Sequence, residues 1–155
     1  MNTYIIQLTD KKRWNEIIAR SFSYDFHHCH SYNALENTGT PFLFVVTDNN
    51  EEDFIALPLV KRSIPGSGYY DCTSVYGYPG PVSSKPTEAF SEAFLQHFRN
   101  ELLQYVRDEK IVAAFTRMHP IIDQSPFFNE IGKVLHLNKT IAIDLTLPLE
   151  KQRQQ

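Results

Sequence analysis

Cysteine is nearly absent from this chain. Cys29 and Cys72 are the only two in 155 residues, so no disulfide framework organises it, and a domain of this length buries enough of its unfolded surface to need none. A dominant charge is missing too. Fifteen Lys and Arg against 18 Asp and Glu leave a formal net charge of −3, which supplies neither a basic field for nucleic acid nor a polybasic anchor for anionic lipid. No apolar run approaches the roughly 18 residues of a membrane span. The opening segment Met1–Asp10 carries neither a basic n-region nor an apolar h-region, so the expectation is a cytoplasmic protein with reduced thiols. Internal repeats and low-complexity segments are not evident.

Aromatic residues, by contrast, are plentiful: 11 Phe and 8 Tyr suit a thick core or an aromatic cleft. The β-rich run Thr3–Leu8 precedes a cap at Thr9 or Asp10 and a helix whose Trp14, Ile17 and Ile18 form one apolar stripe. Ser31–Asn37 reads as a short second helix ended by Gly39 and Pro41. The strands Phe42–Val46 and Phe54–Val60 flank a polar turn, as in a hairpin. Pro58 cannot donate to a ladder and belongs at an edge, a bulge or a parting of strands. Ser84, Pro86 and Glu88 start a strong helix in which Phe90, Phe94, Phe98, Leu102, Tyr105 and Val106 form a core stripe. Ile111–Met118 reads as a buried strand, Asp123–Ile131 as a helical turn or two, and Lys139–Leu147 as a last strand. The expected order is β-α-α-β-β-β-α-β-α-β, a mixed-sheet α/β domain over residues 1–147. Residues 148–155 read as a helix that starts with Pro148 in its first turn and is then cut off, leading toward a second domain.

The segment with most character is Tyr69-Tyr-Asp-Cys-Thr-Ser-Val-Tyr-Gly-Tyr-Pro-Gly-Pro81, a strand expected to break at Tyr76 into a rigid turn. Gly77 and Gly80 permit backbone angles that other residues avoid, while Pro79 and Pro81 fix φ, so Tyr76 and Tyr78 sit on a pre-ordered loop. Such aromatics either bind a ligand or pack on the core, and residue types alone do not separate the two.

With these strings in view, the chain resembles the amino-terminal half of the Fem-type peptidyltransferases, which build peptidoglycan interpeptide bridges. The likeness rests on Asp25-Phe-His-His-Cys-His-Ser-Tyr32, Asp53-Phe-Ile-Ala-Leu-Pro-Leu59, Asp71-Cys-Thr-Ser-Val-Tyr-Gly-Tyr-Pro-Gly-Pro81 and Thr116-Arg-Met-His-Pro120. It implies a GNAT-like acyl-CoA N-acyltransferase fold, with a central, mostly antiparallel mixed sheet flanked by helices, and transfer of an aminoacyl or acyl group to an amine. It also implies two such domains per protein, with aminoacyl-tRNA reached only through the second, so that this half forms part of the cleft for a peptidoglycan-precursor amine. Two departures stand out. Only one such domain is present, and the GNAT pyrophosphate loop is missing, because Pro79, Pro81 and Pro86 supply no N–H groups where that loop would cradle phosphate. No acyl-CoA or other cofactor is therefore expected, and the isolated domain is expected to be inactive. A stand-alone binding module for a cell-wall precursor or protein partner, pairing with a second copy, and a CoA-dependent acetyltransferase are the other readings.

Arg117 and His119, two apart near a strand end, are expected to share a face. The guanidinium can hold a carboxylate or phosphate bidentately, and an imidazole, whose ordinary pKa lies near working pH, can take a proton from an attacking amine. The structural alternative pairs Arg117 with a carboxylate such as Asp71 and lets His119 order the turn at Pro120. The sequence thus nominates His119 as catalytic and Arg117, Tyr76, Tyr78 and Tyr32 as substrate-binding. Asp25, Asp71 and Asp144 are further general-base candidates. His27, His28, Cys29 and His30 hold potential zinc ligands, but adjacent side chains diverge, and the better reading is that they open the second helix. Cys29 and Cys72 read as small buried hydrophobes, and Lys61-Arg62 as a solvated basic pair.

Overall fold

A computed structural model describes residues 1–137 and 139–154. Strand β1 (Asn2–Gln7) leads into helix α1 (Lys11–Ala19), then a 3₁₀ turn (Phe26–His28) and a one-turn helix α2 (His30–Asn33). Strands β2 (Thr40–Thr47), β3 (Phe54–Ser63), β4 (Tyr70–Thr73) and β5 (Val82–Ser83) follow, then a 3₁₀ turn (Thr87–Ala89), helix α3 (Glu92–Asp108) and strand β6 (Ile111–Phe115). A 3₁₀ turn (Ser125–Phe128) and a one-turn helix α4 (Leu149–Gln152) complete the described elements.

The sheet runs β1-β2-β3-β4-β6, with β5 against β3. Four of its ladders are antiparallel and the β4·β6 ladder is parallel, so it is a mixed, mostly antiparallel sheet. It is covered on both faces. Strands β2 and β3 send Phe42, Phe44, Ile55 and Leu57 to one side against Phe94 and Phe98 of α3. The alternate residues Leu43, Val45 and Ala56 meet Trp14, Ile17 and Ile18 of α1 on the other. Burial on both faces explains why these two strands read as continuous apolar runs rather than alternating ones.

Pro58 sits where strands part: β3 pairs with β5 at Ile55 and Ala56 and with β4 from Val60 onward. Asp10 caps α1 through the Arg13 N–H at 3.1 Å. Helix α3 begins later than the sequence suggests. Ser91, not Ser84, is its cap, accepting the Phe94 N–H at 3.2 Å, because Pro86 and Glu88 belong to a separate 3₁₀ turn. Helix α2 stops at Asn33, short of the expected Asn37, as the Asn33 side chain turns inward and donates to the carbonyls of His27 and Cys29. Strand β4 ends at Thr73, three residues before Tyr76.

Two expectations near the C-terminus are corrected. Strand β6 is not buried beyond Ile111: Val112 and Phe115 are 60% and 55% exposed, since β4 is its only ladder partner among the described residues. The described residues between 139 and 147 form no strand, although Ile141, Ile143 and Leu145 alternate, because they meet no ladder and remain exposed. Asn138 lies outside the described residues.

Candidate functional site

The site grows from a cap. Asp25 precedes the 3₁₀ turn Phe26–His28, and its Oδ1 accepts the His27 N–H at 2.8 Å. The same carboxylate, through Oδ2, lies 2.7 Å from His27 Nδ1 and 3.1 Å from His119 Nε2. One aspartate thereby joins a turn near residue 27 to a loop near residue 119. Burial would raise the Asp25 pKa, but hydrogen bonds from the His27 side chain and backbone and the nearby His28 outweigh it and hold the carboxyl below its ordinary value. Asp25 is thus an ionised acceptor.

That charge fixes the protons on its neighbours. His27 donates Nδ1–H to the carboxylate, which leaves an acceptor lone pair on Nε2. Among the described residues Nε2 has no hydrogen-bond partner, and it rests where Gly77 has no Cβ. His119 is held in the opposite sense. Its Nδ1 accepts the backbone N–H groups of Ile121 and Ile122, both at 3.2 Å, which puts the proton on Nε2, in charge contact with Asp25 Oδ2 at 3.1 Å. The third histidine, His28, is fully buried, and its Nδ1 accepts the Asp25 backbone N–H at 3.1 Å. Burial pushes its pKa down to about 4. The 3.1 Å approach of Asp25 Oδ1 to its ring is therefore a contact with a neutral imidazole and not an ion pair.

Around this charged floor stands an aromatic wall. The Phe26 ring lies over His27 with centroids 3.9 Å apart, and Tyr32 and Tyr78 meet the His27 ring edge-on at 5.4 and 5.9 Å. Tyr78 also meets His119 edge-on at 6.4 Å. The Tyr32 hydroxyl donates to the Tyr76 carbonyl at 3.1 Å and pins the aromatic turn. Tyr76 is 81% exposed, and the Arg117 guanidinium lies 5.7 Å from its ring centre and 5.5 Å from that of Phe115. All five residues nominated from the sequence meet here.

Gln124 locks the arrangement. It is buried, its Nε2 donates to the Pro81 carbonyl at 2.7 Å, and its Oε1 accepts the His119 N–H at 2.5 Å. The carboxamide presses on Gly80, where a side chain would collide with it, and the Gly80 N–H donates to the Arg117 carbonyl at 3.0 Å. Gly77, at φ +101°, is the left-handed position of this turn, and its missing side chain leaves room for the His27 ring. The two glycines of the aromatic turn are thus contact points for His27 and Gln124, a role that their turn chemistry alone does not announce.

The remaining candidates lie apart from this centre. Asp71 is held bidentately by Arg62 at 2.7 and 2.8 Å and is not the partner of Arg117, which has no carboxylate within ion-pair distance among the described residues. Lys61 is not simply solvated: it pairs with Glu109 at 2.5 Å and lies over the Tyr70 ring. Asp144 holds Thr146 through side chain and backbone, which lowers its pKa. Burial, with Asp25 nearby, raises the half-buried Cys29 thiol, and burial pushes Cys72 up to about 12, so neither is an activated thiolate. His30 Nε2 donates to the Leu8 carbonyl at 2.7 Å, which fixes the proton on that nitrogen. The described residues contain no group of three or more His, Cys, Asp or Glu arranged to hold a metal, and no helix long and apolar enough to cross a membrane.

No family model matches the sequence, and no curated protein matches it significantly. In structure the chain is similar to the ribosomal-protein-alanine N-acetyltransferase of Brucella melitensis biovar Abortus 2308, with a TM-score of 0.48 and 10% identity over 91% of this chain and 97% of that one. The function is therefore read from the site's own chemistry.

Proposed function

We propose that this chain is the acceptor-side, GNAT-like half of a Fem-type transferase that moves an aminoacyl or acyl group to an amine. In this scheme His27 takes the proton that the attacking amine must lose, Asp25 orients and supports the imidazole, and Arg117, with Tyr76 and Tyr78, holds the acceptor. The observation that carries the reading is the Asp25–His27 pair, 2.7 Å apart, with Nε2 unpartnered beside an exposed aromatic wall. A carboxylate behind an imidazole favours the tautomer that accepts a proton and stabilises the cation that results.

His119 enters as the second grip on Asp25, a positioning residue whose two ring nitrogens are already engaged. Arg117 is suited to a carboxylate or phosphate on the acceptor, since its guanidinium is exposed beside the Tyr76 and Phe115 rings and has no ion-pair partner among the described residues. The mixed sheet with a helix on each face supports a GNAT-like reading. Acyl-CoA is not part of it. Ser91 Oγ already takes an N–H of the first turn of α3, Glu92 adds negative charge there, and the preceding prolines offer no donors. An aminoacyl-tRNA donor would enter through a second domain, and a peptidoglycan-precursor peptide is the acceptor class.

Arg117→Ala tests this scheme. Titration with the tripeptide Gly-Gly-Ala, which carries a free amine and a free carboxylate, is expected to show about tenfold weaker binding with an unchanged Tm. A lowered Tm with no separate effect on binding would make Arg117 structural. A non-catalytic binding module remains a second reading, favoured by the engagement of both His119 nitrogens. In a module His27→Gln has no turnover to remove, whereas in the complete transferase it should abolish transfer and spare peptide binding.

A further inference from the structure

Beside the His119 loop lies a cleft of about 240 Å³ that the scheme above leaves unused. We propose that it is a side-chain subsite of the same site, receiving one aliphatic side chain of the acceptor peptide. The inference rests on the acceptor reading of the Asp25 site and adds to it the kind of peptide that is accepted.

Three observations support it. The first is continuity. The cleft is bounded by Phe22 on one strand of chain and by Ile121 and Ile122 on another, and Asp25 and His119 lie three residues or fewer from these walls. His119 bridges the two spaces directly: Nε2 faces Asp25, and Nδ1 accepts the N–H groups of Ile121 and Ile122 in the cleft wall. A peptide whose amine sits at His27 can therefore run past His119 into the cleft without leaving the surface.

The second is chemistry. The floor is Pro81, Val82 and Phe127, all buried, and the rim is Phe22 and Ile121, exposed by 65% and 72%. Of the polar groups at its margin, Glu88 is exposed at the outer edge, and three others are already engaged within the fold. Ser83 Oγ donates to the Lys85 carbonyl at 2.8 Å, Lys85 pairs with Asp53 at 2.5 Å, and Thr87 Oγ1 donates to the Asp123 carbonyl at 3.3 Å. The floor offers a charged side chain no partner and would desolvate it, whereas an aliphatic one gains contact on floor and rim. The third is size. The volume falls below the range of roughly 300–1,000 Å³ in which whole small ligands bind, and suits one side chain of a larger molecule.

Two tripeptides separate the outcomes. The ¹⁵N-labelled chain is titrated with Gly-Leu-Ala and with Gly-Gly-Ala, and the same titrations are run on Ile121→Asp and Phe22→Asp, both at exposed positions, and on Arg117→Ala. The expected result is about tenfold tighter binding of Gly-Leu-Ala, on the scale of one largely buried leucine side chain. The amide signals of Ile122, Ser83 and Thr87 should shift with this peptide only, and either aspartate variant should erase its advantage. Equal affinity for the two peptides, with both weakened by Arg117→Ala, overturns the subsite and leaves the acceptor reading standing. No shift with either peptide overturns both.

Discussion

The two faces of the sheet are both buried, yet they do different work. On the α3 face the core is aromatic and closed: Phe98, fully buried, meets Phe44 and Phe127 edge-on at 6.1 Å each. Arg99, buried within it, is tied to Glu92 at 2.6 Å and donates to the Pro126 carbonyl at 2.9 Å, so even its charge is spent on joining α3 to the next turn. On the α1 face the core is smaller, and its largest member reaches out of it. The Trp14 indole N–H donates to the His28 carbonyl at 2.9 Å, which fastens the 3₁₀ turn of Asp25 and His27 to helix α1. One face thus holds the fold together, and the other carries the site on its rim.

The sharpest way to break this contrast is to damage each face in turn. Phe98→Ala removes a ring from the closed face and should cost about 3–5 kcal/mol in chemical denaturation. Amide signals around Asp25 and His27 should keep their positions in the folded protein. Movement of the site signals would mean that the two faces are not separable.

Acid acts on the site-bearing face. The folded pKa of His28 is about 4, below the ordinary 6.5, so between those values the unfolded chain binds more protons than the folded one. Stability is then full above pH 6.5 and falls as pH drops toward 4, by about 3 kcal/mol. Asp25, whose folded pKa is also lowered, adds a further loss as pH falls through that value. His28→Gln should flatten the fall between pH 6.5 and 4, and an unchanged slope would show that another group titrates there.

Trp14→Phe should have a smaller effect on stability, about 1–3 kcal/mol, because it mainly leaves the buried His28 carbonyl without its donor. Unlike Phe98→Ala it should shift the His27 signals and weaken Gly-Gly-Ala binding. Tyr76→Phe is the mildest change. The side chain is 81% exposed and its ring bears no packing load, so stability should stay within about 0.5 kcal/mol of the parent, and any change should appear in peptide binding alone.

What could be read in the sequence follows the same division. The closed face was legible: the Phe94, Phe98 and Leu102 stripe follows from helical periodicity, and the β2–β3 hairpin from two apolar runs about a polar turn, both of them local signals. Pro58 signalled an edge, a bulge or a parting of strands, because it lacks the N–H a ladder needs, and the structure shows the parting. The aromatic turn was legible from its glycines and prolines, and Arg117, His119, Tyr76, Tyr78 and Tyr32 do converge. Their organiser was harder to see. In the sequence Asp25 stands level with Asp71 and Asp144, because its role depends on a cap that turns His27 back onto it and on His119, far along the chain. Gln124 was missed altogether. Nothing in a lone glutamine signals that it will fill the space over Gly80 and bind a carbonyl 43 residues away. Strand β6 reads as buried because Ile111–Phe115 has the composition of a core strand, yet exposure is set by which neighbours arrive, not by composition.

The account turns on the claim that Asp25 holds His27 and His119 in opposite tautomers, leaving His27 Nε2 as the free base. Long-range ¹H–¹⁵N correlation of the histidine rings, at a pH where the imidazoles are neutral, reads this directly. The predicted result is a proton on Nδ1 of His27 and on Nε2 of His119, with the His27 pattern lost in Asp25→Asn. A His27 ring protonated on Nε2 in the parent protein would remove the base from the site and contradict the account.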